Sequence, residues 1–133
     1  MGASTRNISS LDYIRLINQI NSDIGQKEIP AENLHQLYLM LKSAHKVKSD
    51  TIPHDIVTMD SLIYLRNADH DQKMVFELVF PEDADLTQNK ISVLSPLGVS
   101  LIGEKTKRFI RYESMGGTKR LEIEKILQQP ETD

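Results

Sequence analysis

Two glutamates, Glu28 and Glu32, flank the short link between two helical patterns near the start of the chain. Paired carboxylates at the tip of a hairpin are the residue types that hold a divalent cation or position a water molecule. Two features weaken that reading. Glu32 falls in the first turn of the second helix, where the helix dipole favours an acid regardless of function. Lys27 adjoins Glu28 and partly offsets its charge. His35, His45, His54 and His70 are scattered, with no pair at i, i+3 or i, i+4, so a helical metal clamp is missing. "ADHDQ" around His70 reads as turn chemistry, and His54-Asp55 after Pro53 as a structural pair where a strand begins. Ser95-Pro96 has no G-x-S-x-G context. Gly98, Gly103, Gly116 and Gly117 do not have phosphate-loop spacing; they suit a helix stop and a hairpin. The absence of cysteine rules out disulfides, thiolate metal sites and cysteine nucleophiles. On residue chemistry alone no enzyme, metal or cofactor site emerges.

One charged run is left over. "GEKTKR" with Arg111 places four cations, Lys105, Lys107, Arg108 and Arg111, within nine residues. Such a run is usually a solvated edge, but it also suits an acidic partner. The chain as a whole is acidic, with a formal net charge of −3 over 133 residues. That argues against a sequence-specific nucleic-acid binder, whose domain is normally basic. With 39% hydrophobic and 26% charged residues the composition is globular. Aromatics are few and Trp is absent, so Leu, Ile, Val and Met must build the core. Nothing near Met1 has signal-peptide character, Arg6 breaks the myristoylation pattern, and no apolar run approaches a membrane span. The expectation is a soluble, cytoplasmic protein without a membrane partner.

The elements that would carry these residues follow from periodicity. Ser9 and Asp12 resemble a capping box, and Tyr13, Ile14, Ile17, Ile20 and Ile24 form one stripe, predicting a helix from about Ser10 to Ile24 closed by Gly25. Pro30 opens a second helix with Leu34, Leu37, Tyr38, Leu41 and Ala44 as its stripe, ending near 46–48. Together they predict an antiparallel helical hairpin, a short coiled coil, over residues 1–50. The period then drops to 2. Strands are expected over Val57–Leu65, Met74–Phe80, Ile91–Leu94, Phe109–Glu113 and Arg120–Leu127, with a short helix from Pro96 to Gly103 and a "SMGGT" hairpin loop. Residues 51–133 therefore read as a small antiparallel sheet with one short helix, and the fold class as α+β.

"ISVLSPLGVSLIG…ESMGGTKRLEIEKI" resembles the C-terminal domain of the GreA/GreB transcript-cleavage factors. Ile91, Ser92, Ser95, Pro96, Leu101, Ile102, Gly103, Gly116 and Gly117 carry the likeness. "IPHDIVTMDS" and "LVFPEDAD" further resemble a subgroup of that family, the Rnk-type regulators of nucleoside diphosphate kinase. The resemblance covers about residues 52–128, and the helical hairpin only in outline. There are two departures. Lys107-Arg108 replaces a Gly-Asp pair, so that turn is expected to take another geometry, and Met115 replaces a proline.

The resemblance implies an FKBP-like fold, an antiparallel sheet wrapped on a short helix. It also implies RNA polymerase as partner, docked at the mouth of its secondary channel through Leu94, Ser95, Pro96 and Leu97. Cleavage factors of this family deliver acids to the polymerase metal on a long coiled coil. Here the first helix has about 15 residues, roughly 22 Å, too short for Glu28 and Glu32 to reach. The expected role is a regulator that competes with Gre factors without stimulating cleavage, linked at most indirectly to nucleoside diphosphate kinase. Two alternatives stand beside it: a Gre-like cleavage-stimulating factor, and a peptidyl-prolyl isomerase built on the same fold. The second is disfavoured by the thin aromatic set, Tyr64, Phe76, Phe80, Phe109 and Tyr112.

Overall fold

The computed structural model describes residues 6–23, 30–114 and 116–128. Gly25, Glu28 and Met115 lie outside them, as does Ile24. The first elements are strand β1 (Asn7–Ser9) and helix α1 (Ser10–Asp23). Ser9 caps α1, its Oγ accepting from the Asp12 N–H at 3.0 Å. The buried face of α1 is Asp12, Leu16 and Ile20, with Tyr13 and Ile17 partly buried against the core. Ile14, expected inside, is 58% exposed. At about 100° per residue it lies too far round from the line through Tyr13, Leu16 and Ile20.

Helix α2 (Ala31–Ser43) buries Leu34, Leu37, Met40 and Leu41. Tyr38, expected in that stripe, is exposed and has the Lys42 ammonium over its ring. The helix stops earlier than expected because Ala44 turns to extended backbone. His45–Val47 then forms strand β2, paired in parallel with β1. Neither three-residue strand is long enough to show a period in the sequence.

The main sheet holds β3 (Leu62–Asn67), β4 (Gln72–Val79), β5 (Lys90–Ser92), β6 (Phe109–Ser114) and β7 (Gly117–Leu127). Its order is β5-β4-β3-β7-β6. It is mixed rather than antiparallel throughout, because β5 runs parallel to β4. Two short 3-10 turns, Pro81–Asp83 and Leu86–Gln88, carry the chain back between these strands. Helix α3 (Pro96–Leu101) packs against both β5 and β6, the two edges of the sheet, so the sheet curls around it. β6 and β7 meet in a tight hairpin pairing Ser114 with Gly117, whose φ of 108° suits glycine.

Strand β3 starts later than its alternation suggests. Val57, Thr58 and Met59 are consecutive and all buried, in a loop rather than a strand. A buried loop must satisfy its own backbone groups. Ser61 Oγ accepts from the Thr58 N–H, the Glu104 carbonyl from the Val57 N–H, and Asp12 Oδ2 from the Met59 N–H at 2.9 Å. His54 and Asp55, expected as a structural pair beside a strand, are exposed in the preceding turn.

One hydrophobic core runs across both halves of the chain, from Leu16, Ile20, Leu34 and Leu41 to Ile63, Leu78, Leu101 and Ile123. The helices are thus laid against the sheet and are not a free-standing coiled coil. Asp12 is the polar strut of that union. Asp12→Ala leaves the buried Met59 N–H without its acceptor and should cost about 2–3 kcal/mol, measured by urea denaturation.

The turn at Lys107 has a left-handed backbone, with φ of 71°, a conformation that glycine favours. Lys107→Gly should therefore raise stability by about 0.5–1 kcal/mol, read from the thermal midpoint.

Candidate functional site

The segment from Ser92 to Leu97 is a knot of short hydrogen bonds. Ser92 Oγ accepts from the Leu94 N–H at 3.0 Å, and the Ser92 carbonyl accepts from both the N–H and the Oγ of Ser95. Ser95 Oγ in turn accepts from the Gly98 N–H at 3.0 Å. That hydroxyl is the N-cap of α3 and is bonded on both sides, a structural role rather than that of an activated nucleophile. Pro96 follows at the first helical position and is exposed. Leu94 and Leu97 are buried at 4% and 8% exposure, so they hold the segment from beneath. The surface that this segment presents is Pro96 with parts of Ser92 and Ser95.

The segment is also fastened from the side. Asn33, in the first turn of α2, donates through Nδ2 to the Leu94 carbonyl at 2.8 Å. This brings Glu32 and Pro96, far apart in sequence, to the wall of one cleft of about 370 Å³. Gln36, Ser100 and Tyr112 complete most of its lining. Glu32 is exposed at its rim, while Glu28 lies outside the described residues. Among the described residues no group of three or more His, Asp or Glu side chains comes together as a metal site. The four histidines are all exposed, and His70 sits in a turn whose N–H groups are bonded to Asn67 Oδ1.

Two supports were not singled out in the sequence. Arg6 donates Nη1 to the Val99 carbonyl at 2.6 Å and the Ile102 carbonyl at 3.3 Å, at the C-terminal end of α3. A cation there complements the helix dipole. Burial lowers the pKa of its guanidinium, and Glu104, 3.2 Å away, opposes that. Gly98 is the other. A Cβ at this position would lie 2.1 Å from the Ser92 carbonyl oxygen and 2.8 Å from Val93 Cα. Only glycine lets α3 press onto β5 this closely, and its position inside a predicted helix was the available signal.

A match to the C-terminal region of the transcription elongation factors GreA and GreB covers residues 52–128. The chain belongs to the GreA/GreB family. GreA of Clostridium perfringens is 36% identical over 88 residues, covering 66% of this chain and 56% of that protein. GreA of Clostridium kluyveri is 35% identical over 88 residues, with 66% and 55% covered. The chain thus spans little more than half the length of the curated relatives it matches. A solved GreA/GreB elongation factor from Nitrosomonas europaea superposes with a TM-score of 0.79 at 30% identity, over 93% of this chain and all of that one. GreA factor homolog 1 of Thermus thermophilus shares the fold at 15% identity, with a TM-score of 0.52 over 94% of this chain and 100% of that chain.

In this GreA/GreB-type domain, helix propensity and packing make opposite predictions at position 98. Propensity favours alanine over glycine inside a helix by about 1 kcal/mol. The clash with Ser92 and Val93 should dominate, so Gly98→Ala is expected to destabilise by about 3 kcal/mol. Ser95→Ala should cost only about 1 kcal/mol through the lost cap. Chemical denaturation of the two variants checks the order.

Proposed function

We propose that the protein is a transcription regulator that binds RNA polymerase at the mouth of its secondary channel. It does so through the surface around Pro96 and competes there with Gre factors, without stimulating transcript cleavage. It is not itself an enzyme. This is the Rnk-like reading of a GreA/GreB-family chain, and any effect on nucleoside diphosphate kinase would then be indirect, through transcription.

The observation that carries the non-cleaving role is the Asn33–Leu94 hydrogen bond. It ties the acid-bearing end of the helical pair to the body of the domain. Ile20, near the end of α1, and Leu34, near the start of α2, are both in the common core. With 14 residues, α1 measures about 21 Å, and that length lies along the body rather than beyond it. Glu32, held there, has no arm to carry it to a distant catalytic metal. The isomerase alternative gains no support from the aromatics. Tyr112 lines the cleft beside Pro96, Phe80 lines a separate hollow beneath Arg15, and Phe109 points outward.

In a backtracked elongation complex, the protein alone should leave the transcript uncut, and rising concentrations should inhibit cleavage by an added Gre factor. Pro96→Asp, which leaves the Ser95 cap in place, should abolish that inhibition, whereas Glu32→Gln should not change it. Transcript shortening by the protein alone, lost in Glu32→Gln, would restore the cleavage-factor reading.

A further inference from the structure

The cationic run that the polymerase reading leaves unused lies on one edge of the sheet. β6 is an edge strand, hydrogen bonded within the sheet to β7 alone. Ile110 and Leu121 point inward, at 6% and 1% exposure, so Phe109, Arg111 and Arg120 share the outer face. Arg111 stands directly across from Arg120. Like charges in register destabilise a strand pair. Phe109 is 54% exposed on the same face, with the Arg120 guanidinium over its ring. Lys105, Lys107 and Arg108 are exposed on the approach to β6.

Two neighbouring acids on β7 are engaged with other cations. Glu122 is held by Arg66 at 2.8 Å, and Glu124 by Arg66 and Lys73. Hydrogen bonding to Glu122 raises the Arg66 pKa. Among the described residues, none of Lys105, Lys107, Arg108, Arg111 or Arg120 is ion-paired. Cations on an edge strand discourage self-pairing. That role needs neither two arginines in register nor an exposed phenylalanine between cations.

We propose that the outer face and free edge of the β6–β7 ribbon dock an acidic protein segment in extended conformation. Such a segment adds to the edge as a further strand. Its backbone pairs with the outward groups of β6, and alternate residues, about 7 Å apart, fall on one face. Acids at those positions meet Arg111 and Arg120 in charge-assisted hydrogen bonds, and an apolar residue covers Phe109. A nucleic acid fits less well. Its backbone has no groups to continue a strand ladder, and a long polyanion also meets a protein of net charge −3.

The probe is a fluorescein-labelled peptide of about ten residues, a length suited to one strand, alternating Glu and Val. The controls are its Lys–Val counterpart and an oligothymidylate of equal charge. Fluorescence anisotropy should show saturable binding of the Glu–Val peptide alone, weakening with salt. Amide chemical shifts should move along Phe109–Glu113. Arg111→Glu, now opposite Arg120, should keep or raise the thermal midpoint and yet weaken the peptide about tenfold, the scale of one charge-assisted contact. Several results would overturn the assignment: no saturable binding, unchanged affinity in Arg111→Glu, shifts confined to another face, or tighter binding of the oligothymidylate.

Discussion

Where α3 crosses β5 the two backbones lie so close that there is no room for a side chain at position 98. Everything around α3 follows from this. The helix is only six residues long and could not hold its place by its own propensity. It is kept by the Ser95 cap at one end, the Arg6 guanidinium at the other, and the absent side chain in the middle. With α3 pressed against both edge strands, the sheet has to curl, and Leu97, Leu101 and Ile102 join the core. Pro96 is displayed on the surface because its neighbours on either side are drawn inward.

The helical pair is an extension of that core. It has polar, directional cross-links to the sheet domain, Asp12 to Met59 and Asn33 to Leu94. Apolar burial drives association without specifying orientation, whereas these bonds fix how the helices lie.

Charge on the sheet's outer face is divided rather than mixed. The carboxylates of Glu122, Glu124 and Asp71 gather around Arg66, with Lys73 also reaching Glu124. Further along, Arg120 on β7 and Arg111 on the edge strand β6 stand opposite each other across the β6–β7 pair. Uncompensated like charges in register are a cost that folding alone does not explain, and it falls at the one place where the sheet has both a free edge and an exposed aromatic ring.

Local signals in the sequence determined much of this. Ser-Pro followed by Gly103 marked a short helix, Gly117 a hairpin, and "ADHDQ" a turn, because each rests on chemistry within a few residues. The same holds for the two long helices and for the α+β class, and the motif around Ser95 was enough to indicate the family. Features that depend on which residues meet across the chain were not legible. Ile14 and Leu16 look alike as apolar residues, and only docking against the sheet buries one and exposes the other. The parallel β1–β2 ladder and the parallel placement of β5 leave no period in strands of three residues. Asp12 reads as a cap from its spacing, yet its carboxylate serves a loop 47 residues away. Tertiary structure alone brought Glu32 to the wall of Pro96's cleft and set Arg111 against Arg120. Spacing along a chain encodes torsions and local hydrogen bonds, whereas register and docking emerge only when distant segments compete for the same buried volume.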